Sequence, residues 1–159
     1  MMELVLNGYS FSYVADLIPD NANGKAIAYA PQQRYNNTQN LPLLPEGDGE
    51  FCRFCLPGLT AVAGVYAWIS KNEVVYIGET RNMKYRFNNG YGIISPRNCY
   101  KGGQKTNCKM NKVAMNCYNS GAPVKLYFLR TNDYKMIEKE LIRSLMPKYN
   151  EKDNKGSVI

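Results

Sequence analysis

The segment GVYAWISKNEVVYIG, residues 64–78, has the pattern of a β-hairpin. If the loop is Ser70-Lys71-Asn72, with Asn72 in the left-handed conformation that such loops need, Tyr66 lies directly opposite Tyr76. Strand side chains alternate between faces, so this register predicts one apolar face formed by Val65, Ala67, Ile69, Val75 and Ile77. Both tyrosines then lie on the other face, either as a cross-strand pair that only stabilises the hairpin or as a reactive pair.

The residues after the hairpin predict a small α/β domain on a short sheet. A helix begins near Thr80, a second begins near residue 106, and a last one begins at Asp133. A third strand covers residues 124–129. The predicted order is therefore strand, strand, helix, helix, strand, helix.

The chain has 159 residues, which suits one domain with an arm. We expect residues 61–159 to form the main domain and residues 1–60 to form an N-terminal extension packed on it. The sequence has no run of about 18 apolar residues and no basic start followed by an apolar stretch. We therefore expect no membrane span, no signal peptide and a cytoplasmic location, in a bacterium or a phage-infected host cell.

The formal charge of +7 is concentrated in one part of the chain. Between Thr80 and Asn132 there are ten bases and no acid, a distribution that self-repulsion disfavours unless a polyanion is bound. The same window is rich in Tyr, Asn, Gln and Gly, which contact phosphates and stack on bases. A nucleic acid is a better explanation than a generic basic surface. The bases assigned to it are Arg81, Arg97, Lys101, Lys105, Lys109 and Lys112.

Five cysteines and no histidine limit metal and redox chemistry. Cys52 and Cys55 have the spacing of half a zinc site, but no second pair with that spacing follows. Zinc binding by this pair stays open, and buried or inert thiols are the favoured interpretation.

Glu138 stands out among the acids because it lies between Ile137 and the pair Leu141-Ile142 in the last predicted helix. A carboxylate flanked by core positions is only partly solvated. The alternatives are an ordinary edge charge and a functional group that faces the tyrosine side of the sheet.

Three separated motifs, in this order, resemble the GIY-YIG nuclease family. The first is Gly64-Val65-Tyr66 with Tyr76-Ile77-Gly78 and the following residues as far as Arg86; the second is Ile137-Glu138 with Leu141-Ile142; the third is Pro147-Lys148-Tyr149-Asn150. The resemblance covers residues 62–150 and is strongest toward phage and restriction-type members. It implies an α/β (α+β) fold with a small three-stranded antiparallel sheet flanked by helices.

The resemblance also implies a role for each site residue. Glu138 would be the single protein ligand of Mg²⁺ or Mn²⁺, and Arg86 would bind the scissile phosphate. Tyr66 is the preferred general base, and Tyr76 would position water or phosphate. A free phenol has a pKa near 10, so a tyrosine base needs a neighbouring cation, for which Lys84 is a candidate.

Two further positions follow from the resemblance. Asn150 matches the family's terminal asparagine and would order the site through hydrogen bonds. Many members have a histidine or tyrosine four residues after the arginine, where this chain has Gly90. Tyr91, the next residue, could supply that group.

The sequence therefore predicts a metal-dependent DNA endonuclease that hydrolyses phosphodiester bonds, most plausibly in double-stranded DNA. With one site per chain, cutting both strands requires a homodimer, a higher oligomer or two successive nicks. The alternative is a catalytically idle DNA- or RNA-binding module that keeps the fold.

Overall fold

A computed structural model of the protein describes residues 2–150, which form a mixed α/β fold with a five-stranded antiparallel sheet. The strands are β1 (Glu3–Leu6), β2 (Tyr9–Asp16), β3 (Asn21–Ala22), β4 (Lys25–Ala26), β5 (Gly64–Ser70), β6 (Glu73–Thr80) and β7 (Lys125–Arg130). The helices are α1 (Met83–Tyr85), α2 (Lys105–Asn119) and α3 (Tyr134–Leu145), and a π-helical segment, Arg86–Tyr91, follows α1 directly. The large sheet has the order β1-β2-β7-β5-β6, and β3 pairs with β4 in a small second sheet. Within residues 2–150 there is no helix long and apolar enough to cross a membrane.

The sheet has five strands, whereas the sequence predicted three. Residues 3–16, expected in an N-terminal extension, form β1 and β2, and β2 pairs with β7. Asn7 and Gly8 have φ angles of 50° and 84°, which are typical of a tight two-residue hairpin turn. Leu6 and Phe11 belong to the core cluster on one face of the sheet. This hairpin is therefore part of the domain core and not an arm.

The described residues divide into two compact units, and the boundary predicted near residue 60 does not separate them. Unit 1 consists of residues 2–16, 58–83 and 124–150. Unit 2 consists of residues 17–57 and 84–123. Unit 1 contains the large sheet and α3, whereas unit 2 contains α2, the π-helical segment and the β3–β4 hairpin. The last part of the predicted main domain, residues 151–159, lies outside the described residues.

The β5–β6 hairpin forms as predicted, but with a shorter loop. The loop is the two-residue turn Lys71-Asn72, in which both residues have positive φ, 51° and 65°. Ser70 therefore pairs with Glu73 instead of belonging to the loop. Such turns are preferred because their twist matches that of the flanking strands.

A β-bulge then changes the register that the sequence predicted. Beside Trp68 the β6 strand has one extra residue, and beyond it Trp68 pairs with Tyr76 and Tyr66 pairs with Gly78. The two tyrosines are therefore not directly opposite each other. They still share a face of the sheet, because the shorter loop and the bulge together shift the pairing by two residues.

The other face of the hairpin packs against α3. The core cluster there contains Val65, Ala67 and Ile77 of the hairpin and Ile137, Leu141 and Ile142 of α3. Val74 packs against this cluster, where the sequence predicted Val75. The bulge explains the difference, because it changes which β6 residues face the helix.

A buried asparagine joins three segments of unit 2. Asn111 of α2 is 0% exposed. Its side-chain amide donates to the carbonyl oxygens of Cys52 and Tyr91 at 2.9 and 2.8 Å and accepts the N–H of Cys52 at 2.9 Å. These bonds fix the end of the π-helical segment against α2.

Candidate active site

The two tyrosines of the hairpin are close together and buried. The ring centroids of Tyr66 and Tyr76 lie 6.3 Å apart with an interplanar angle of 39°. Trp68 contacts Tyr76 edge-on, with ring centroids 5.8 Å apart. Tyr66 is 1% and Tyr76 is 5% exposed, although the sequence placed them on a face outside the core. The phenols are thus preorganised by packing rather than held at an open surface.

Gly78 is required by the position of the Tyr66 ring. The two residues are paired across β5 and β6. A Cβ atom at residue 78 would overlap with the ring carbon atoms and the hydroxyl group of Tyr66. The glycine therefore lets the phenol lie flat across the neighbouring strand, which explains why tyrosine and glycine occur together here.

Asn150 fixes the β6 backbone between Tyr76 and Gly78. Its side-chain amide accepts the N–H of Ile77 at 2.9 Å and donates to the Ile77 carbonyl oxygen at 2.8 Å. Asn150 is only 1% exposed, and the neighbouring Tyr149 N–H donates to Val75 at 3.0 Å. Residues 149 and 150 thus satisfy backbone groups along the outer edge of β6.

Glu138 lies on α3, and its residue is half-buried. Ile137 and Ile142, which flank it on the helix surface, are in the core cluster with Val65 and Ile77. The tyrosines lie on the opposite face of β5 and β6. The flanking core residues therefore place Glu138 at the margin of the interface between α3 and the sheet.

Arg86 and Tyr91 form one structural group in unit 2. The Arg86 Nη2 donates to the Tyr91 hydroxyl at 2.9 Å, and the guanidinium carbon lies 4.3 Å from the centroid of the Tyr91 ring. Tyr91 is 0% exposed. Five residues separate the pair instead of the expected four, and the π-helical segment accommodates the additional residue.

The basic residues predicted to bind nucleic acid fall into two groups. Arg81, Lys101 and Lys105 are exposed, as is Lys84, which was predicted to assist the tyrosine base. Arg97, by contrast, donates to the carbonyl oxygens of Tyr100 and Lys101, at 3.4 and 3.1 Å.

Lys112 belongs with Arg97, because its Nζ donates to the Asp48 carbonyl oxygen at 2.6 Å. Lys109 is half-buried. Three lysines of α2 that were predicted to bind nucleic acid therefore differ in exposure. Lys105 is exposed, whereas Lys109 and Lys112 are partly buried.

The net charge is nevertheless concentrated in unit 2. Its ranges contain ten bases and four acids, whereas the described ranges of unit 1 contain eight bases and seven acids. Six of the seven net positive charges therefore belong to unit 2.

The cysteines of the described residues are unpaired thiols. Cys52 is buried and Cys55 is exposed. Burial raises the pKa of the Cys52 thiol to about 12. No group of three or more His, Cys, Asp or Glu residues that could hold a metal ion occurs among residues 2–150.

Sequence reasoning missed the two asparagines on the buried side of α2. Asn107 and Asn111 are 2% and 0% exposed and lie one turn apart. Their helical phase matches that of Met110, Val113 and Ala114, which are also buried. Polar residues at core positions of a helix were therefore the signal in the sequence.

Comparison with solved structures gives a likeness in fold. A structure of a mutant of bacteriophage T4 EndoII has a TM-score of 0.50 and 20% identity to this chain. The match covers 69% of this chain and 86% of that chain. The likeness shows that the two chains have a similar fold. No protein-family model and no curated protein matches the sequence.

Proposed function

We propose that this protein is a metal-dependent DNA endonuclease that hydrolyses phosphodiester bonds. The observation that supports this best is the Tyr66–Gly78 pairing beside Tyr76, held by Asn150, on a fold similar to that of a phage nuclease. A β-hairpin can be stable without a tyrosine ring that lies over a glycine of the neighbouring strand. It can also be stable without an asparagine, such as Asn150, that is bonded to the backbone of its edge. Their combination is understandable if the phenols must be held in one position.

In this proposal Arg86 binds the phosphate that is cleaved. A guanidinium group offers five N–H donors in a fixed plane, which suits phosphate oxygens. One donor is used by the Tyr91 hydroxyl at 2.9 Å, which limits the rotation of the side chain. Tyr91 therefore takes the place of the group that the family has four residues after the arginine.

Tyr66 removes the proton from the attacking water, and Tyr76 orients the water or the phosphate. A buried phenol resists ionisation, since burial disfavours its charged form. The proposed base therefore needs cations from the arginine, the substrate-bound metal and the exposed Lys84.

Glu138 is the proposed ligand of Mg²⁺, or of Mn²⁺ in its place. A half-buried carboxylate without a cluster of further acids fits Mg²⁺, which binds one or two carboxylates and fills its shell with water and phosphate oxygens. When bound, the ion would stabilise the leaving 3′ oxygen and the charge that develops on the phosphate. The chain itself contributes the carboxylate and its fixed position on α3.

Unit 2 is the proposed DNA-binding part, because it contains six of the seven net positive charges. The exposed bases Lys84, Lys101 and Lys105 would contact the sugar-phosphate backbone. A homodimer, or two successive nicks, would be needed to cut both strands.

The experiment that tests this function measures nicking of supercoiled plasmid with Mg²⁺. Wild-type protein should nick the plasmid, and Glu138→Gln should not, while both bind DNA equally in EDTA. Glu140→Gln is the matched control, because Glu140 is exposed on the same helix and accepts a hydrogen bond from Tyr9 at 3.0 Å. Loss of nicking in both variants would contradict the role of Glu138.

The burial of both phenols, 1% and 5% exposed, also favours a second candidate, a nucleic-acid-binding module without catalysis. Such a protein would bind DNA or RNA with a strong salt dependence and would cut neither under any divalent metal.

A further inference from the structure

Asn107 has a buried carbonyl oxygen without a hydrogen-bond partner in residues 2–150. The residue is 2% exposed, and its Oδ1 atom is buried. Its Nδ2 group donates to the Gln104 Oε1 at 2.8 Å, so the orientation of the amide is fixed. A buried unpaired acceptor of this kind destabilises a fold, and most buried polar atoms in proteins are paired.

The unpaired oxygen and the Arg86 side chain border the same glycine. A Cβ atom built on Gly90 would have the Asn107 Oδ1 at 3.5 Å and the Arg86 Cδ at 3.8 Å. Both atoms therefore lie within 4 Å of the same point, and the glycine places no side chain there. A rotation of the Arg86 side chain can thus bring its guanidinium toward this oxygen.

The helix α2 holds the Arg86–Tyr91 segment from two consecutive turns. Asn111 donates to the Tyr91 carbonyl oxygen at 2.8 Å and so fixes the end of the segment. Asn107, one turn earlier on α2, lies beside Gly90 of the same segment. Both asparagines thus flank the segment that contains the proposed phosphate-binding arginine.

We propose that Asn107 is a positioning residue for Arg86. When a phosphate draws the guanidinium into its binding orientation, one N–H donates to the Asn107 Oδ1 while another continues to donate to Tyr91. The arginine is then held on two sides. This inference rests on the proposed function for the role of Arg86 as a phosphate ligand and for identifying the phosphate as that of DNA.

Asn107→Leu tests the proposal, because leucine keeps the volume and removes the unpaired acceptor. If Asn107 served only to stabilise the fold, replacing it would lower the urea midpoint of unfolding. We expect the midpoint to stay equal or rise, because the unpaired buried oxygen is gone. Single-turnover cleavage should fall by about tenfold or more while DNA affinity in EDTA is unchanged. A lower midpoint, or cleavage at the wild-type rate, would overturn the proposal.

Asn107→Leu also removes the hydrogen bond that the Asn107 Nδ2 donates to Gln104. Gln104→Ala is the control for that loss. Gln104 is exposed, and its replacement keeps the Asn107 oxygen in place. This variant should cleave at close to the wild-type rate. A loss equal to that of Asn107→Leu would mean that the Gln104 contact, and not the oxygen, is what matters, and would overturn the proposal.

A measurement with inorganic phosphate separates this proposal from the nuclease assignment. In wild-type protein, phosphate should shift the NMR signal of the Arg86 Nε–H and slow its exchange with solvent. In Asn107→Leu the slowing should be at least several-fold smaller. Equal slowing in both proteins, or none in wild type, would overturn the positioning role. Failure to cut DNA would overturn only the nuclease assignment.

Discussion

The Arg86 guanidinium donates to the Tyr91 hydroxyl at 2.9 Å although the two residues are five positions apart. In an α-helix, residues four apart lie above one another, and a fifth residue is turned away. The π-helical segment adds one residue per turn, and the Gly92 N–H donates to the Phe87 carbonyl oxygen at 2.8 Å, also five positions away. The backbone therefore corrects the offset between this sequence and the usual motif, and a π-turn of this kind is frequent at functional sites.

Tyr91→Phe should reduce cleavage without unfolding the protein. The change keeps the ring under the guanidinium and removes only the hydroxyl that accepts the Arg86 N–H. A hydrogen bond from a charged donor contributes about 1.5–3 kcal/mol, so we expect a loss of roughly tenfold to a hundredfold in single-turnover rate. Tyr85→Phe is the control, because Tyr85 is 63% exposed. Equal rates for Tyr91→Phe and wild type would show that the contact does not orient the arginine.

Gly78→Ala should lower the stability of the fold, whereas Gly90→Ala should leave it unchanged. At residue 78 a methyl group overlaps with the Tyr66 ring, so the phenol must move, and overpacking of this kind costs about 1–3 kcal/mol. At residue 90 the nearest atom would be at 3.5 Å, an ordinary contact, so we expect no loss. Urea unfolding measures both. If Gly78→Ala were as stable as wild type, the Tyr66 ring would not depend on this glycine.

The exposed bases of unit 2 should dominate the salt dependence of DNA binding. Replacing Lys101 or Lys105 by Ala should lower the slope of log K against log salt by about one per residue that contacts phosphate. Lys112→Ala should change the slope less, because its Nζ donates to the Asp48 carbonyl oxygen. Fluorescence anisotropy over a salt series measures this. A larger effect of Lys112 than of Lys105 would contradict the grouping.

Two buried thiols should make the protein sensitive to alkaline pH. Burial raises the pKa of Cys52 and Cys108 from 9.0 to about 12. Because the folded-state pKa is the higher one, the protonated thiols stabilise the fold fully below pH 9, and this stabilisation is lost as the pH rises toward 12. The urea midpoint should therefore fall over this range, and Cys52→Ala should fall less steeply. A Cys55→Ser control should follow wild type, since Cys55 is exposed.

The local part of the fold was predictable from the sequence. The β5–β6 hairpin and α3 follow from short-range hydrophobic periodicity. The five-stranded sheet was not predictable in this way, because β2 pairs with β7 across more than a hundred residues. Strand pairing over such a distance leaves no local pattern in the sequence.

The details of the site depend on backbone irregularities and helix packing, which cannot be predicted from the spacing of residues in the sequence. The two-residue loop and the bulge beside Trp68 each shift the pairing by one residue, so that Tyr66 pairs with Gly78 and not with Tyr76. The π-helical segment likewise brings Tyr91 to Arg86. The position of Glu138 at the margin of α3 depends on which sheet face the helix covers, and that follows only from the complete packing.

The most direct test of the nuclease assignment is to incubate long double-stranded DNA with the protein and Mg²⁺ and to sequence all ends that appear. The proposed mechanism predicts new ends at internal positions, with a 5′-phosphate and a 3′-hydroxyl group, and none in a parallel sample containing Glu138→Gln. Intact DNA, nucleotides released only from the original ends, or the same internal ends with Glu138→Gln would contradict it.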